Sequence, residues 1–122
     1  MSDGRHKTGA LGEALACEAL RQRGYEIIAR GWRCPEGEVD IVARQGACWV
    51  FVEVKTRRGH AAGLPDEAVT SSKLRKLATL GSLYLAENEL GEVDWRIDLV
   101  AIELDGHGRV LRLDIVPCLL MD

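Results

Sequence analysis

The sequence predicts an α/β fold in which a mixed β-sheet carries helices on its faces. The first observation is the order of hydrophobic periodicities, which runs helix, three strands, helix, two strands. The second is that short turns join the first three strands, as in an antiparallel meander. The third is a helical crossover between the third and fourth strands, which places them parallel and right-handed. A sheet covered on both sides follows.

A first helix is predicted over residues 9–23, after a polar start (1–7) that we expect to be frayed. Thr8 can cap the helix and Gly24 can end it. Leu11 and Leu15 belong to its apolar side, which predicts packing against the sheet.

Three strands are predicted next, over residues 25–33, 38–44 and 47–57. The turn at 34–37 contains a proline that fixes φ and a glycine that relaxes it. Gln45-Gly46 is a tight hairpin connection. The third strand is apolar on both faces, as expected for a strand inside a covered sheet.

The second half of the chain begins with a glycine-rich loop over 58–65. The helix that follows is predicted to break near residues 70–72 and to end near Asn88. Two further strands are expected at 94–104 and 109–119, joined by a turn. No internal repeat or linker is present, so the 122 residues are predicted to form one domain, 1–122.

Composition narrows the class of protein. The chain is 47% hydrophobic and 29% charged, which is typical of an ordinary folded domain. It has no apolar run of about 18 residues and no apolar stretch near the N-terminus, so neither a membrane span nor a signal peptide is predicted. We therefore expect a cytoplasmic protein.

Charge is unevenly distributed around a net value of −3. Residues 53–76 hold six basic and three acidic side chains, whereas residues 87–105 hold seven acids and one arginine. A local basic surface could meet a phosphate backbone despite the acidic total. The alternative is two solvated segments without a partner. The candidate nucleic-acid-binding residues are Arg57, Arg58, Lys73 and Lys76.

Two acids interrupt otherwise apolar strands. Glu53 and Lys55 share a face of the third strand, and Asp40 is predicted to share a face of the second strand with Glu38 and Val42, opposite Val39, Ile41 and Ala43. A hairpin closed at 45–46 would bring Asp40 and Glu53 together. Such carboxylates repel each other, so one binds a proton or a cation lies between them.

Two explanations of this pair remain open from the residues alone. It is a salt bridge with Lys55 and neighbouring arginines, or it is a site for a hard cation. The cysteines and histidines are scattered, which disfavours zinc, and oxygen ligands favour Mg²⁺ or Mn²⁺.

Two further groups have competing interpretations. Glu13 lies on a partly apolar side of the first helix and could point inward to join the acids; alternatively, it interacts with the dipole at the helix start. Arg96 and Asp98 share a face of the fourth strand, where we favour a structural ion pair, although Arg96 could approach the same site.

At this point the motifs resemble known families. Asp40, twelve intervening residues and then Glu53-Val54-Lys55 resemble the D…E-x-K motif of the PD-(D/E)xK nuclease superfamily, and the helix with Glu13 and the αβββαβ order are similar to archaeal Holliday-junction resolvases. More closely, "GEALACEAL", "GEVDIVA", "VFVEVKTRR" and "RIDLVAIE" resemble the bacterial YraN family over nearly the whole chain. The implied fold is a restriction-endonuclease-like core with an extra C-terminal strand.

The resemblance also implies a metal-dependent endonuclease acting on structured or branched DNA. Asp40, Glu53 and the Val54 carbonyl would hold Mg²⁺ or Mn²⁺. Lys55 would orient the attacking water or stabilise the charge that develops on phosphorus. Glu13 and Glu38 would be outer or second-metal carboxylates, and Lys73 would contact phosphate.

Two positions depart from the expected patterns. Val39 stands where the superfamily has a proline, and Gly31 stands where the YraN family usually has asparagine. The alternative functions are a non-catalytic nucleic-acid-binding protein with an idle site and a protein–protein adaptor that uses the acidic stretch 87–105 and Trp95. A homodimer is plausible because so small a protein has little surface with which to hold a duplex.

Overall fold

The computed structural model of the protein describes residues 4–59 and 69–121. Two helices and five strands make up this part of the chain. They are α1 (Gly4–Gln22), β1 (Glu26–Cys34), β2 (Gly37–Gln45), β3 (Cys48–Arg58), α2 (Ser71–Glu87), β4 (Trp95–Leu104) and β5 (Val110–Met121).

The strands form one mixed sheet in the order β1-β2-β3-β4-β5. β3 and β4 are parallel, and the other three neighbouring pairs are antiparallel. Both predicted tight turns are present, because Cys34 pairs with Gly37 and Gln45 pairs with Cys48. The predicted fold class is therefore confirmed: a restriction-endonuclease-like αβββαβ core with an additional C-terminal strand.

Each face of the sheet has its own hydrophobic core. The core between α1 and the sheet includes Leu20 of the helix and Ile41, Val50, Val52, Val100 and Ile102 of the strands. The side chains on the α2 face include Val39, Val42, Phe51, Leu77, Leu80 and Ile97. β3 contributes to both cores, which explains why its sequence is apolar in both registers.

Two glycines allow the helices to approach β3 closely. A Cβ atom on Gly12 of α1 would lie 1.9 Å from Oγ1 of Thr56, and one on Gly81 of α2 would lie 2.6 Å from the Phe51 ring. Because Gly12 precedes Glu13, the first contact brings that part of α1 against the end of β3.

The element boundaries differ from the predictions mainly at the ends. α1 begins at Gly4, so the predicted frayed start is helical from that residue. α2 begins at Ser71 after Thr70, whose side-chain oxygen accepts a hydrogen bond from the Lys73 N–H at 3.1 Å. The earlier part of the predicted second helix, and most of the predicted loop at 58–65, lie outside the described residues.

The predicted alternation along β2 is wrong at one point. Val39 and Val42 both pack in the α2-side core, whereas Ile41 packs in the α1-side core. The β2–β3 pairing begins at Ile41 and Val52, and next to it the Val54 N–H donates to Oδ2 of Asp40 at 2.8 Å. The Asp40 carboxylate thus takes the place of a backbone acceptor, and the strand is irregular where the acid lies.

Candidate metal centre

Asp40 and Glu53 meet where β2 and β3 begin to pair. Glu53 is only 5% exposed, and its carboxyl group lies close enough to that of Asp40 to raise the Asp40 pKa. The backbone N–H of Val54 fixes the other carboxyl group through its bond to Asp40 Oδ2. The structure therefore brings the two acids together, as the sequence predicts.

The protonation of Asp40 reflects this crowding. Burial, and then the neighbouring Glu53 carboxyl, raise the pKa of Asp40 from its ordinary value of 3.8 to about 7. The Val54 N–H opposes the change because it stabilises the carboxylate. Asp40 therefore titrates near neutral pH. A cation bound beside it would stabilise the carboxylate form.

Two lysines approach Glu53 from different elements. Nζ of Lys73, in the first turn of α2, lies 3.1 Å from Glu53 Oε2, and Nζ of Lys55 lies 3.8 Å from the same atom. Both contacts are ion pairs, and the buried Oε2 receives no hydrogen bond from any group in the described part of the chain. Two ammonium groups therefore compensate the Glu53 charge at this one oxygen.

A second set of carboxylates shares Asp40. One oxygen from each of Glu13, Glu38 and Asp40 lies within 4.8 Å of the others. Glu13 is well beyond the first turn of α1, which excludes the alternative in which it interacts with the helix start. Helix α1 therefore delivers this acid to the sheet.

Arginines of β1 partly neutralise this second set. Arg30 Nε lies 3.4 Å from Glu13 Oε1, and Arg33 Nε lies 3.1 Å from Glu38 Oε2. Both pairs are partly exposed, so their side chains can exchange partners at little cost. The Glu13 and Glu38 carboxylates remain accessible to a cation.

The predicted nucleic-acid-binding residues do not all lie together. Lys73 is at the acid cluster, and Lys76 is one turn along α2, next to Gly37 at the start of β2. Arg57 and Arg58 lie at the C-terminal end of β3. Arg58 donates hydrogen bonds to the carbonyl oxygens of Asp105 and Gly106, each at 3.4 Å. α2 and the end of β3 thus contribute separate basic groups.

A buried polar network lies near the other end of the sheet. Asp98 is fully buried, accepts a hydrogen bond from the Tyr25 hydroxyl at 2.7 Å and pairs with Arg96 at 3.0 Å. Arg96 also donates to Gln45 Oε1 at 2.6 Å. This confirms the structural ion pair expected for Arg96 and Asp98, but the roles of Tyr25 and Gln45 were missed because their distant positions carry no shared motif.

The glycine at position 31 has a conformational explanation. Its φ of +61° lies in the left-handed region, which glycine and asparagine adopt more readily than other residues. A Cβ atom there would be 3.5 Å from Glu38 Oε1, an ordinary contact. Gly31 therefore suits the backbone beside Glu38 without supplying a ligand.

The donor set fits a hard divalent cation. One carboxylate oxygen from each of Glu13, Glu38 and Asp40 lies in one group, and a buried Glu53 oxygen without a hydrogen bond lies beside Asp40. Burial, and then the Glu53 carboxyl group, raise the pKa of Asp40. Mg²⁺ and Mn²⁺ prefer such oxygen ligands.

Comparison with known proteins identifies the family. The model for Uncharacterised protein family UPF0102, which is the YraN family, matches residues 12–102. The chain belongs to this family. The resemblance seen in the sequence motifs is thereby confirmed, and the matched range includes every candidate residue of the site.

Relatives extend the match over most of the chain. The UPF0102 protein of Roseiflexus castenholzii is 42% identical over 118 residues, which cover 96% of this chain and 95% of the relative. That of Beutenbergia cavernae is 50% identical over 94 residues, covering 77% and 80%. That of Symbiobacterium thermophilum is 48% identical over 104 residues, covering 85% and 88%.

Neither described helix is both long enough and apolar enough to cross a membrane.

Proposed function

We propose that this UPF0102 protein is a metal-dependent endonuclease that hydrolyses phosphodiester bonds in structured or branched DNA. The observation that carries the proposal is that two acids, Asp40 and Glu53, lie together with two lysines, Lys55 and Lys73, at Glu53. Isolated surface acids would not need two ammonium groups and a backbone N–H directed at one buried pair. The resemblance of this motif to the PD-(D/E)xK nucleases supports the same reaction class.

Asp40 and Glu53, with the carbonyl of Val54, would hold Mg²⁺ or Mn²⁺. Glu13 and Glu38 would extend the ligand set on the α1 side, where they lie within 4.8 Å of Asp40. When bound, the ion would polarise a phosphoryl oxygen and lower the pKa of a water molecule.

The two lysines have separate roles in this proposal. Lys55 is on the same strand as Glu53 and would orient the attacking water or stabilise the negative charge that develops on phosphorus. Lys73 is 43% exposed and sits at the start of α2, where it can exchange the Glu53 carboxylate for a substrate phosphate. Lys76, Arg57 and Arg58 would contact more distant phosphates.

The test combines metal binding with cleavage. Wild-type protein should bind Mn²⁺ in a calorimetric titration and, with Mn²⁺ or Mg²⁺, cleave at least one of duplex, flap, four-way-junction and single-stranded DNA. Asp40→Asn should lose metal binding and cleavage. Lys55→Met should keep metal binding and lose about 10²–10³-fold in cleavage rate, because it removes a charge needed mainly in the transition state.

Glu18→Gln is the matched control, because Glu18 is an exposed acid of α1 that pairs only with its helical neighbours among the described contacts. It should behave as wild type. Mn²⁺ and DNA binding without cleavage of any substrate would favour the idle-site alternative, and absence of Mn²⁺ binding would contradict the proposal and favour the adaptor.

A further inference from the structure

Strand β5 ends the sheet and has an exposed edge. In the part of the chain that the structure describes, it pairs on one side only, with β4. It runs from Val110 to Met121, and the side chains of Val110 and Leu111 are 44% and 50% exposed. A long edge strand with exposed apolar residues is a template for pairing with another strand.

The sequence of this edge is complementary to itself. Residues 110–116 read Val-Leu-Arg-Leu-Asp-Ile-Val, which is symmetric about Leu113. In an antiparallel pair of two such strands centred on Leu113, Leu111 meets Ile115 and Arg112 meets Asp114. The two charged positions are opposite in sign, so each chain offers the other two cross-strand ion pairs.

We propose that a second copy of this chain pairs with β5 and extends the sheet across a two-fold axis at Leu113. The charged positions are available for this, since Arg112 and Asp114 are 59% and 39% exposed. Leu111 is left without a partner on β4 by a register shift, so its side chain is available as well. Pro117 has no N–H and marks the end of the pairing segment.

The arrangement sets the expected strength of association. A short strand pair of this kind belongs to the class of small interfaces that bury less than about 1,200 Å². The dimer should therefore exchange with monomer in a concentration-dependent equilibrium. The axis is perpendicular to the sheet, which keeps both α2 helices on the same side.

One consequence depends on the proposed function. With strands about 4.8 Å apart and residues about 3.4 Å apart along them, the two Glu53 positions would lie roughly 30 Å from each other on one face. A nucleic acid with two cleavable strands could then reach both sites. The dimer itself does not depend on catalysis, so the test below measures mass and not cleavage.

The experiment is sedimentation velocity on the full chain over a range of concentrations. Wild type should approach the mass of two 13.4 kDa chains as concentration rises. Arg112→Glu gives a chain with acids at both charged positions, and Asp114→Arg gives one with bases at both. Each alone should remain monomeric, because like charges would meet at the pair.

Mixing the two variants should restore a dimer, now formed by one chain of each kind. This outcome separates the intermolecular pairs from the ion pair that Arg112 and Asp114 form within one chain, because that pair is absent from both variants. Arg23→Glu, a charge reversal at an exposed residue just after α1, is the control and should dimerise as wild type does.

Leu111→Lys provides a second route if either charge variant folds poorly by far-ultraviolet circular dichroism. It alters an exposed side chain and should reduce dimerisation at least tenfold. A wild type that stays monomeric at every concentration, a mixture that stays monomeric, or a Leu111→Lys protein that dimerises normally would each overturn the proposal.

Discussion

At the scale of single residues, the charged groups on an apolar strand are explained by their neighbours. Glu53 can be buried because Lys55 and Lys73 both lie near its carboxylate and offset part of the cost of removing that charge from water. Asp40 has a structural function too, since it accepts the Val54 N–H where regular β2–β3 pairing begins. The same side chains thus shape the strand and form the candidate site.

The raised pKa of Asp40 predicts that the metal-free protein becomes less stable toward unfolding as pH rises. Its folded-state value of about 7 exceeds the ordinary 3.8, so between these values the folded state binds more protons than the unfolded state. The contribution of Asp40 to the free energy of unfolding therefore falls as pH rises from about 4 to about 7.

Urea unfolding of wild type and Asp40→Asn, both with a chelator present, measures this effect. The asparagine can still accept the Val54 hydrogen bond but does not titrate. As pH rises from 5 to 7, the free energy of unfolding of Asp40→Asn should increase relative to that of wild type. A difference that stays constant across this range would show that the pKa of Asp40 is ordinary.

At the scale of elements, two close contacts determine where the helices cross the sheet. Gly12 lets α1 approach Thr56, and Gly81 lets α2 approach Phe51, so both helices are positioned against β3 from opposite faces. The first contact places Glu13 near Asp40, and the second faces the core beneath α2. The arrangement of acids therefore depends on residues that carry no charge.

Two glycine substitutions on α1 test this. Gly12→Ala should lower the free energy of unfolding by about 1–3 kcal/mol, because its methyl group would overlap Thr56. Gly9→Ala should raise it by up to about 1 kcal/mol, because nothing lies within 4 Å of the new atom and alanine favours helix. Chemical denaturation measures both, and equal effects of the two substitutions would exclude a tight crossing at Gly12.

At the scale of the whole molecule, a single polar network connects distant segments. Tyr25 precedes β1, Gln45 ends β2, and Arg96 and Asp98 belong to β4, yet their side chains form one hydrogen-bonded group. Asp98 is 0% exposed, and Arg96 and the Tyr25 hydroxyl are the polar groups that compensate its burial. The network therefore helps to hold the sheet in one register.

Removing the acid should be costly for this reason. Asp98→Ala leaves the Arg96 charge without its buried partner, and we expect a loss of about 3–5 kcal/mol in the free energy of unfolding. Glu18→Ala breaks an exposed pair with Arg21 and should cost less than about 1 kcal/mol. Thermal and urea unfolding compare the two; a loss below 1 kcal/mol for Asp98→Ala would mean that the network contributes little.

Much of this molecule follows from local pattern in the sequence. The order of helices and strands, the two tight turns and the pairing of the strand with Asp40 to the strand with Glu53 all follow from periodicity and turn residues, since these act over a few positions. The acids and Lys55 are close in the predicted hairpin, so their convergence was predictable as well.

Tertiary structure alone decided which distant groups meet. Lys73 joins Glu53, and Glu13 joins Glu38 and Asp40, because two helices cross the same strand from opposite faces. It also decided the reversal of faces around Asp40 and the meeting of Tyr25 with Asp98. Sequence periodicity specifies which side of an element is apolar, but the angle and closeness of packing between elements depend on side-chain volumes that come together only in the folded chain.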